Sequence, residues 1–252
     1  MKTTILIHCP DQSGIISAVT GFIHAKGGNI IYLDQHVDKT ANVFFMRLES
    51  DFDDNSLNLE RFKEEFKSSL SNPYQMEWSL HLDSILPKMA IFVSKYNHCL
   101  YDLLSRYHSE ELRAEIPFII SNHKDLGYIA EQFNIPFYHI PVTKDTKKEA
   151  EKRQLELLKE HNVDFIVLAR YMQIVSSRLI SEFPNKIINI HHSFLPAFAG
   201  AKPYHAAFDR GVKIIGATSH YVTEEKIVLS RAVKLHVKRK TMVYNNKTVI
   251  FS

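Results

Sequence analysis

The spacing of hydrophobic residues changes several times over the first 83 positions. Apolar residues at every second position predict strands, and apolar residues three or four positions apart predict amphipathic helices. Strands are predicted over residues 3–8, 29–37, 43–49 and 74–82, and helices from residue 15 to the stop at Lys26-Gly27-Gly28 and over residues 59–70. In the first helix the apolar residues that recur at helical spacing are Ile16, Val19, Phe22 and Ile23. This βαββαβ order predicts a ferredoxin-like domain over residues 1–83.

After a short linker, predicted strands alternate with predicted helices. The strands lie over residues 89–94, 116–121, 137–140 and 165–169, and an apolar run over residues 187–190 predicts one more. Repeated β-α units predict an α/β domain over residues 84–252 with a mostly parallel, doubly wound, Rossmann-like sheet. Ligands of such sheets bind beyond the carboxyl ends of the strands, so residues that follow these strands are candidates for a site.

One helix of this second domain carries a start signal. The stretch Thr146-Lys147-Lys148-Glu149 has the spacing of a capping box. It predicts that the Thr146 hydroxyl accepts a hydrogen bond from the backbone amide of Glu149, while the Glu149 side chain accepts one from the backbone amide of Thr146.

Composition and charge exclude several classes of protein. Of the 252 residues, 45% are hydrophobic and 23% charged, as in ordinary globular proteins. The formal net charge is +3 and no basic run exceeds three residues, which does not indicate nucleic-acid binding. A mildly basic surface would suit an anionic small molecule. No apolar stretch approaches membrane-spanning length and no signal peptide is recognisable, so we expect no membrane association and a cytoplasmic protein.

Cysteine and histidine positions give no metal site. Cys9 and Cys99 are far apart in sequence, so they form neither a disulfide framework nor a metal-ligand pair, and we interpret both as free thiols. The 14 histidines are scattered and no HExxH pattern occurs. We therefore expect no metal cofactor.

Asn189 and His191 are the strongest candidates for chemistry. Residues i and i+2 of a strand face the same side, so both side chains are expected to point into one cleft. An asparagine can donate a hydrogen bond to a developing oxyanion, and a histidine can move a proton. From the spacing alone, a polar strand end packed by histidines is the preferred interpretation.

The wider motif favours the functional interpretation. Asn189-x-His191-x-Ser193-x-Leu195-Pro196 resembles the signature of the folate-dependent formyltransferase family, and residues 93–95, 136–150, 169–175 and 203–223 match as well. The resemblance implies that Asn189 and His191 are catalytic. It also implies that Met172, Gln173, Ile174 and Val175 hold the pterin ring of a folate, and that His220 supports the site or forms a wall of the folate pocket.

The N-terminal unit resembles an ACT domain, through residues 11–15 and 27–30. ACT domains are regulatory modules that commonly bind an amino acid between paired copies. The resemblance implies an amino-acid effector near Asp11, Ser13, Gly14 and Asn29, and a homo-oligomer. For any single one of these residues, a purely structural role in capping the helix is the preferred interpretation.

The lack of glycine after the first strand of this domain bears on which molecule accepts the formyl group. Relatives that formylate a phosphorylated amine carry a glycine-rich loop after the first strand of this domain. Here residues 94–98 contain no glycine that would let backbone amides close on a phosphate. Together with the ACT-like domain, this favours water as acceptor.

The predicted reaction is hydrolysis of 10-formyltetrahydrofolate to formate and tetrahydrofolate, without metal or redox cofactor. This reaction would supply formate for purine synthesis and balance one-carbon pools. Transfer to an amine, or folate or amino-acid binding without catalysis, are the alternatives.

The resemblance is interrupted after Glu225. The family continues there with an Asp-x-Gly-Pro-Ile-Ile motif, whose aspartate orients the catalytic histidine, but this chain resumes the resemblance only at Arg231. Either a mobile loop has been omitted and the chain numbered across it, or the protein lacks the segment. The abrupt join between well-matched flanks favours the first explanation. Glu224 and Glu225 are the nearest carboxylates, but their longer side chains and shifted positions disfavour them as substitutes.

Overall fold

A computed structural model describes residues 1–53, 57–191, 218–221, 229–244 and 247–251, with the backbone alone for 190–191, 218–221 and 229–231. The chain divides into two compact units. Unit 1 contains Met1–Leu86 together with Arg239–Ser252, and unit 2 contains Pro87–Lys238.

Unit 1 has the predicted βαββαβ order. Its elements are β1 (Lys2–Pro10), α1 (Ile15–Ala25), β2 (Asn29–Asp38), β3 (Val43–Asp51), α2 (Leu59–Phe66) with a π-helical turn (Lys67–Ser71), α3 (Asn72–Tyr74) and β4 (Glu77–Leu82). The sheet order is β2-β3-β1-β4, with antiparallel neighbours. Tyr74, predicted in the last strand, instead ends α3, because Gln75 adopts a left-handed backbone conformation and turns the chain before β4.

The core of unit 1 lies between its helices and one face of its sheet. α1 buries Ile15, Val19 and Ile23, and Phe22 packs partly buried against the same core, whereas Ile16 is 42% exposed. α2 and its continuation bury Phe62, Phe66 and Leu70. At Gly28 an added Cβ would lie 2.6 Å from the Phe52 ring and 2.7 Å from Ile23 Cγ2. Close packing therefore requires glycine at this position.

A C-terminal hairpin covers the other face of this sheet. It consists of β11 (Thr241–Tyr244) and β12 (Lys247–Ile250). Its apolar residues, with Phe251, pack against Leu6, Val43 and Phe45, which alternate with the core-facing positions. Arg47 Nε also donates to the Arg239 carbonyl oxygen at 2.9 Å. The structure thus groups residues 239–252 with unit 1, whereas the sequence-based division assigned all of residues 84–252 to the second domain.

Unit 2 is the predicted doubly wound α/β unit. Its elements are β5 (Met89–Val93), α4 (His98–His108), β6 (Ile119–Ser121), α5 (Gly127–Gln132), β7 (Phe137–His139), α6 (Lys147–Glu160), β8 (Phe165–Ala169), α7 (Ser177–Glu182), β9 (Ile187–His191), β10 (Thr218–Tyr221) and α8 (Leu229–Val237). Among the described strands the order is β10-β9-β8-β5-β6-β7, in which only β10 is antiparallel to its neighbour.

Both faces of the parallel sheet are covered, which explains the apolar runs that predicted its strands. All five side chains of β5 are buried, and they alternate between two hydrophobic clusters on opposite faces. The chain winds from β5 to β6 and β7 on one side, and returns through α6 to β8 and β9 on the other. The strand order therefore reverses between β5 and β8, where ligands of such sheets bind.

The predicted capping box at α6 does not form. Thr146 is the N-cap residue, but its side chain makes no capping hydrogen bond. Its hydroxyl oxygen instead accepts from the Thr143 amide at 3.0 Å. Thr146 has φ −96° and ψ 0° rather than an extended N-cap conformation, so its hydroxyl bonds to the preceding turn. The capping-box prediction is wrong for this reason.

Candidate active site

Polar residues follow the strands on both sides of the point where the strand order reverses. Ser94 follows β5, Ser121 and Asn122 stand at the end of β6, and Arg170 follows β8. Ser94 is 2% exposed and Asn122 8%, and Ser121 is completely buried. Buried polar groups need hydrogen-bond partners, and at this carboxyl edge Ser94 and Asn122 are hydrogen-bonded to each other.

Asn189 lies at the same edge, near the end of β9. It is half-buried and stands in register with Leu168 of β8 and with His220 of β10. His191 stands in register with Thr218. Strand alternation places positions 189 and 191 on the same side of β9, and directly opposite residues of antiparallel strands share a face. The backbone thus brings positions 189, 191 and 220 to one face of the strand pair.

The Ser94 hydroxyl connects three separate parts of unit 2. Its Oγ donates to Asn122 Oδ1 at 2.6 Å and accepts from the backbone amide of Met172 at 3.0 Å. The neighbouring Ser121 hydroxyl accepts from the His123 amide at 3.1 Å. Ser94 therefore links the end of β5 both to the end of β6 and to the chain that follows β8.

We call residues 170–176, which follow β8, the β8–α7 segment. At its start Arg170 has φ 56° and its guanidinium carbon lies 4.3 Å from the centre of the Tyr96 ring. The Tyr171 hydroxyl accepts from Gln154 Nε2 at 2.9 Å, and the Ser176 amide donates to Glu151 Oε1 at 3.0 Å.

Burial raises the pKa of Tyr171 to about 12, although the Gln154 hydrogen bond acts in the opposite direction. Its phenol therefore stays protonated at neutral pH. Tyr171 anchors the β8–α7 segment and does not act as a base.

The residues predicted to bind the pterin ring lie in this segment. Met172 is 57% exposed and Ile174 84%, while Gln173 and Val175 are half-buried. Gln173, Ile174 and Val175 also line a cavity of about 10 Å³, which is close to the smallest volume that holds one water. Two large apolar side chains thus face solvent beside a buried polar network, as expected of a surface that receives a flat ring.

The four residues predicted to bind a regulatory ligand are divided between two ends of the sheet of unit 1. Asp11, Ser13 and Gly14 form the turn between β1 and α1, where Gly14 has φ 89°. Pro10 pairs with Val43, at the start of β3, whereas Asn29 pairs with Asp51, eight positions further along β3. At 3.4 Å per residue these ends are roughly 27 Å apart. Within one chain, Asn29 is therefore not brought close to the other three.

Metal ligands and reactive thiols are not found in the described part of the chain. No group of three His, Cys, Asp or Glu side chains there could hold a metal ion. Cys9 and Cys99 are buried and unpaired by a disulfide, and burial raises the pKa of Cys9 to about 11 and that of Cys99 above its usual range. No described helix is long and apolar enough to cross a membrane.

Some predicted features lie outside the described residues. They include Ser193, Leu195 and Pro196 of the signature and the carboxylates Glu224 and Glu225. Conversely, Ser94, Asn122 and Arg170 were not singled out from the sequence. The available sequence signal was weak. It consisted of a polar residue directly after a wholly apolar strand, where that strand lies next to the reversal of strand order.

Comparisons with known proteins identify both units. The Formyl transferase family model matches residues 87–239 and the ACT domain model matches residues 3–67. A formyltetrahydrofolate deformylase of Synechocystis is 44% identical over all of this chain and 99% of that protein, and one of Bacillus subtilis is 43% identical over all of this chain and 94% of that protein. A crystal structure of a formyltetrahydrofolate deformylase from Pseudomonas syringae pv. tomato is 38% identical, with a TM-score of 0.95 over 100% of this chain and 95% of that chain.

The alignment with the Synechocystis protein is longer than this chain. The alignment with the Synechocystis protein spans 283 positions, but this chain has 252 residues in all, so at least 31 positions have no counterpart here. The Synechocystis protein therefore contains residues that this chain lacks.

Proposed function

The chain belongs to the formyltetrahydrofolate deformylase family, and we propose that it performs that reaction with Asn189 and His191. It is a hydrolase that converts 10-formyltetrahydrofolate to formate and tetrahydrofolate. The observation that carries this assignment is the similarity to the Synechocystis deformylase, which extends over both units and the whole of this chain.

Asn189 and His191 divide the chemistry between them in this proposal. The Asn189 amide donates to the formyl oxygen as that atom gains negative charge. His191 takes a proton from the attacking water and returns it to N10 of the folate, which then leaves. The register of β9 and β10, with positions 189, 191 and 220 on one face, supports these roles. Neither step requires a metal or a redox cofactor.

The folate lies over the β8–α7 segment in the same proposal. Met172, Gln173, Ile174 and Val175 contact the pterin ring, and His220 forms a wall of the pocket. The exposure of the Met172 and Ile174 side chains beside the carboxyl edge of the sheet supports this placement.

A second candidate function is folate binding without turnover. It is favoured by the interruption of the resemblance after Glu225, where the family carries the motif with its catalytic aspartate. Loss of a carboxylate that orients a catalytic histidine costs up to about 10,000-fold in rate. We therefore expect hydrolysis with a low turnover number.

Formate release from 10-formyltetrahydrofolate, with no amine present, tests the assignment. We expect equal amounts of formate and tetrahydrofolate, in proportion to the enzyme concentration, from protein whose intact mass equals that of the 252 residues. Binding of tetrahydrofolate without formate release would support the second candidate. Formylation of an added amine, with no formate in its absence, would make the protein a transferase.

We propose that unit 1 binds an amino-acid effector between two copies of the chain. The separation of Asn29 from Asp11, Ser13 and Gly14 supports a shared site, because one small ligand cannot span roughly 27 Å. The protein is then a homo-oligomer. Sedimentation velocity, with and without a mixture of amino acids, is expected to show a species larger than a monomer. A monomer under both conditions would remove the basis for the shared site.

A further inference from the structure

The loop between β5 and α4 contacts the β8–α7 segment at two points. Ser94 accepts the hydrogen bond of the Met172 amide at 3.0 Å. Its own hydroxyl proton is donated to Asn122 Oδ1, so the direction of both hydrogen bonds is set. Ser94 is 2% exposed, and without it the Met172 amide would lose this partner in a site with little access to water.

Tyr96 provides the second contact, to the start of the segment. The Arg170 guanidinium lies over its ring at 4.3 Å, within the range of an attractive cation–π interaction. Arg170 also has φ 56°, a left-handed conformation that few residues other than glycine adopt. The stacked ring therefore holds the side chain of a residue whose backbone conformation is intrinsically unfavourable.

The remainder of the segment is anchored from α6. Gln154 bonds to the Tyr171 hydroxyl and Glu151 to the Ser176 amide. With these four contacts the backbone is held along its length, while the Met172 and Ile174 side chains project into solvent. Such a segment is ordered before its ligand arrives, and binding then costs less conformational entropy.

We propose that Ser94 and Tyr96 are positioning residues for folate binding, which hold the β8–α7 segment so that Met172 and Ile174 are presented to the pterin ring. This inference rests on the proposed function. It assigns a role to the loop after β5, which the sequence had marked only by its lack of glycine. In this chain the loop supports the folate site and is not built to bind a phosphate.

Two pairs of variants test this proposal. Ser94→Ala is paired with Ser121→Ala, which removes another buried serine at the carboxyl edge whose hydrogen bond goes to His123 and not to the segment. Tyr96→Ala is paired with Tyr96→Phe, which keeps the ring. The readouts are the Kd of tetrahydrofolate by fluorescence titration, kcat and KM for 10-formyltetrahydrofolate, and the melting temperature.

We expect Ser94→Ala and Tyr96→Ala to raise Kd and KM by about tenfold and to change kcat by less than about threefold. A loss of affinity of about tenfold is the size of effect that losing one hydrogen bond or one cation–π contact produces. Both control variants are expected to bind within about twofold of the wild type, although Ser121→Ala lowers the melting temperature as much as Ser94→Ala does.

Kd values for Ser94→Ala and Tyr96→Ala that match those of their controls would overturn the proposal. Should Ser94→Ala fail to fold, the Tyr96 pair decides, because this side chain is 55% exposed and its loss leaves the core intact. A wild-type protein that binds no tetrahydrofolate would refute the proposed function itself. If the wild type and all variants bind tetrahydrofolate equally tightly, only the positioning roles of Ser94 and Tyr96 are refuted.

Discussion

His191→Ala is expected to lower the turnover number of formate release by at least about 100-fold, while the Kd of tetrahydrofolate changes little. General acid–base groups contribute about 100- to 10,000-fold to enzymatic rates. The lower end of that range is expected because the Asp-x-Gly-Pro-Ile-Ile motif, whose aspartate orients the histidine in the family, does not follow Glu225 in this sequence. Folate affinity is expected to be retained because the residues proposed to contact the pterin ring lie on another element, the β8–α7 segment. Formate is measured under substrate saturation, and Kd by fluorescence titration.

His139→Ala is the matched control for this variant. His139 ends β7 at the same carboxyl edge, but at the far side of the sheet from β9. Its replacement is expected to leave kcat within about twofold, since removal of a group outside the site changes no proton transfer. A near-normal rate for His191→Ala would exclude His191 as the proton-transfer group.

Asn189→Ala is expected to lower both kcat and kcat/KM by about 100- to 1,000-fold, the cost typical of losing one donor to a developing oxyanion. Because this hydrogen bond strengthens as charge develops on the formyl oxygen, KM should change little. At Asn189, β9 is paired on both sides, with His220 of β10 and with Leu168 of β8. Replacement by alanine therefore preserves the backbone pairing at this position. Steady-state kinetics on the two proteins, at matched folded fractions, provide the measurement.

Asn97→Ala serves as the control for loss of an asparagine. Asn97 is exposed after β5 and makes no side-chain hydrogen bond to the start of α4. We expect its kinetic constants to stay within about twofold of the wild type, because this exposed side chain is not among the described contacts that hold the β8–α7 segment. A raised KM with unchanged kcat for Asn189→Ala would assign Asn189 to substrate binding and not to oxyanion stabilisation.

The candidate site could be predicted only in part from the sequence. The resemblance singled out Asn189, His191 and the residues of the β8–α7 segment, and these stay predictions that the variants above test. Ser94, Tyr96 and Asn122 were given no role, although Ser94 lies in a stretch that matches the family, because serine, tyrosine and asparagine are also ordinary loop residues. Their roles emerge only from distances: Ser94 and Met172 are 78 positions apart in sequence yet share a hydrogen bond.

Local patterns of the sequence determined the secondary structure and the fold class of this protein. Strand and helix periodicities depend on neighbours within a few residues, and they predicted the βαββαβ unit and the parallel sheet that the structure confirms. The family also follows from the sequence, since its motifs are contiguous. Errors at this level were small and local, such as the capping box at Thr146, whose hydroxyl bonds to Thr143 because its backbone is not extended.

Tertiary structure alone decided which distant segments share a core or a site. The C-terminal hairpin packs against Leu6 and Phe45 of unit 1, and Arg47 bonds to Arg239 at a separation of 192 positions. Asn29 and Asp11 lie at opposite ends of one sheet, although both were assigned to one ligand. These outcomes depend on the burial of apolar surface and the pairing of buried polar groups between segments far apart in the chain. Neither can be predicted from the spacing of residues along the sequence.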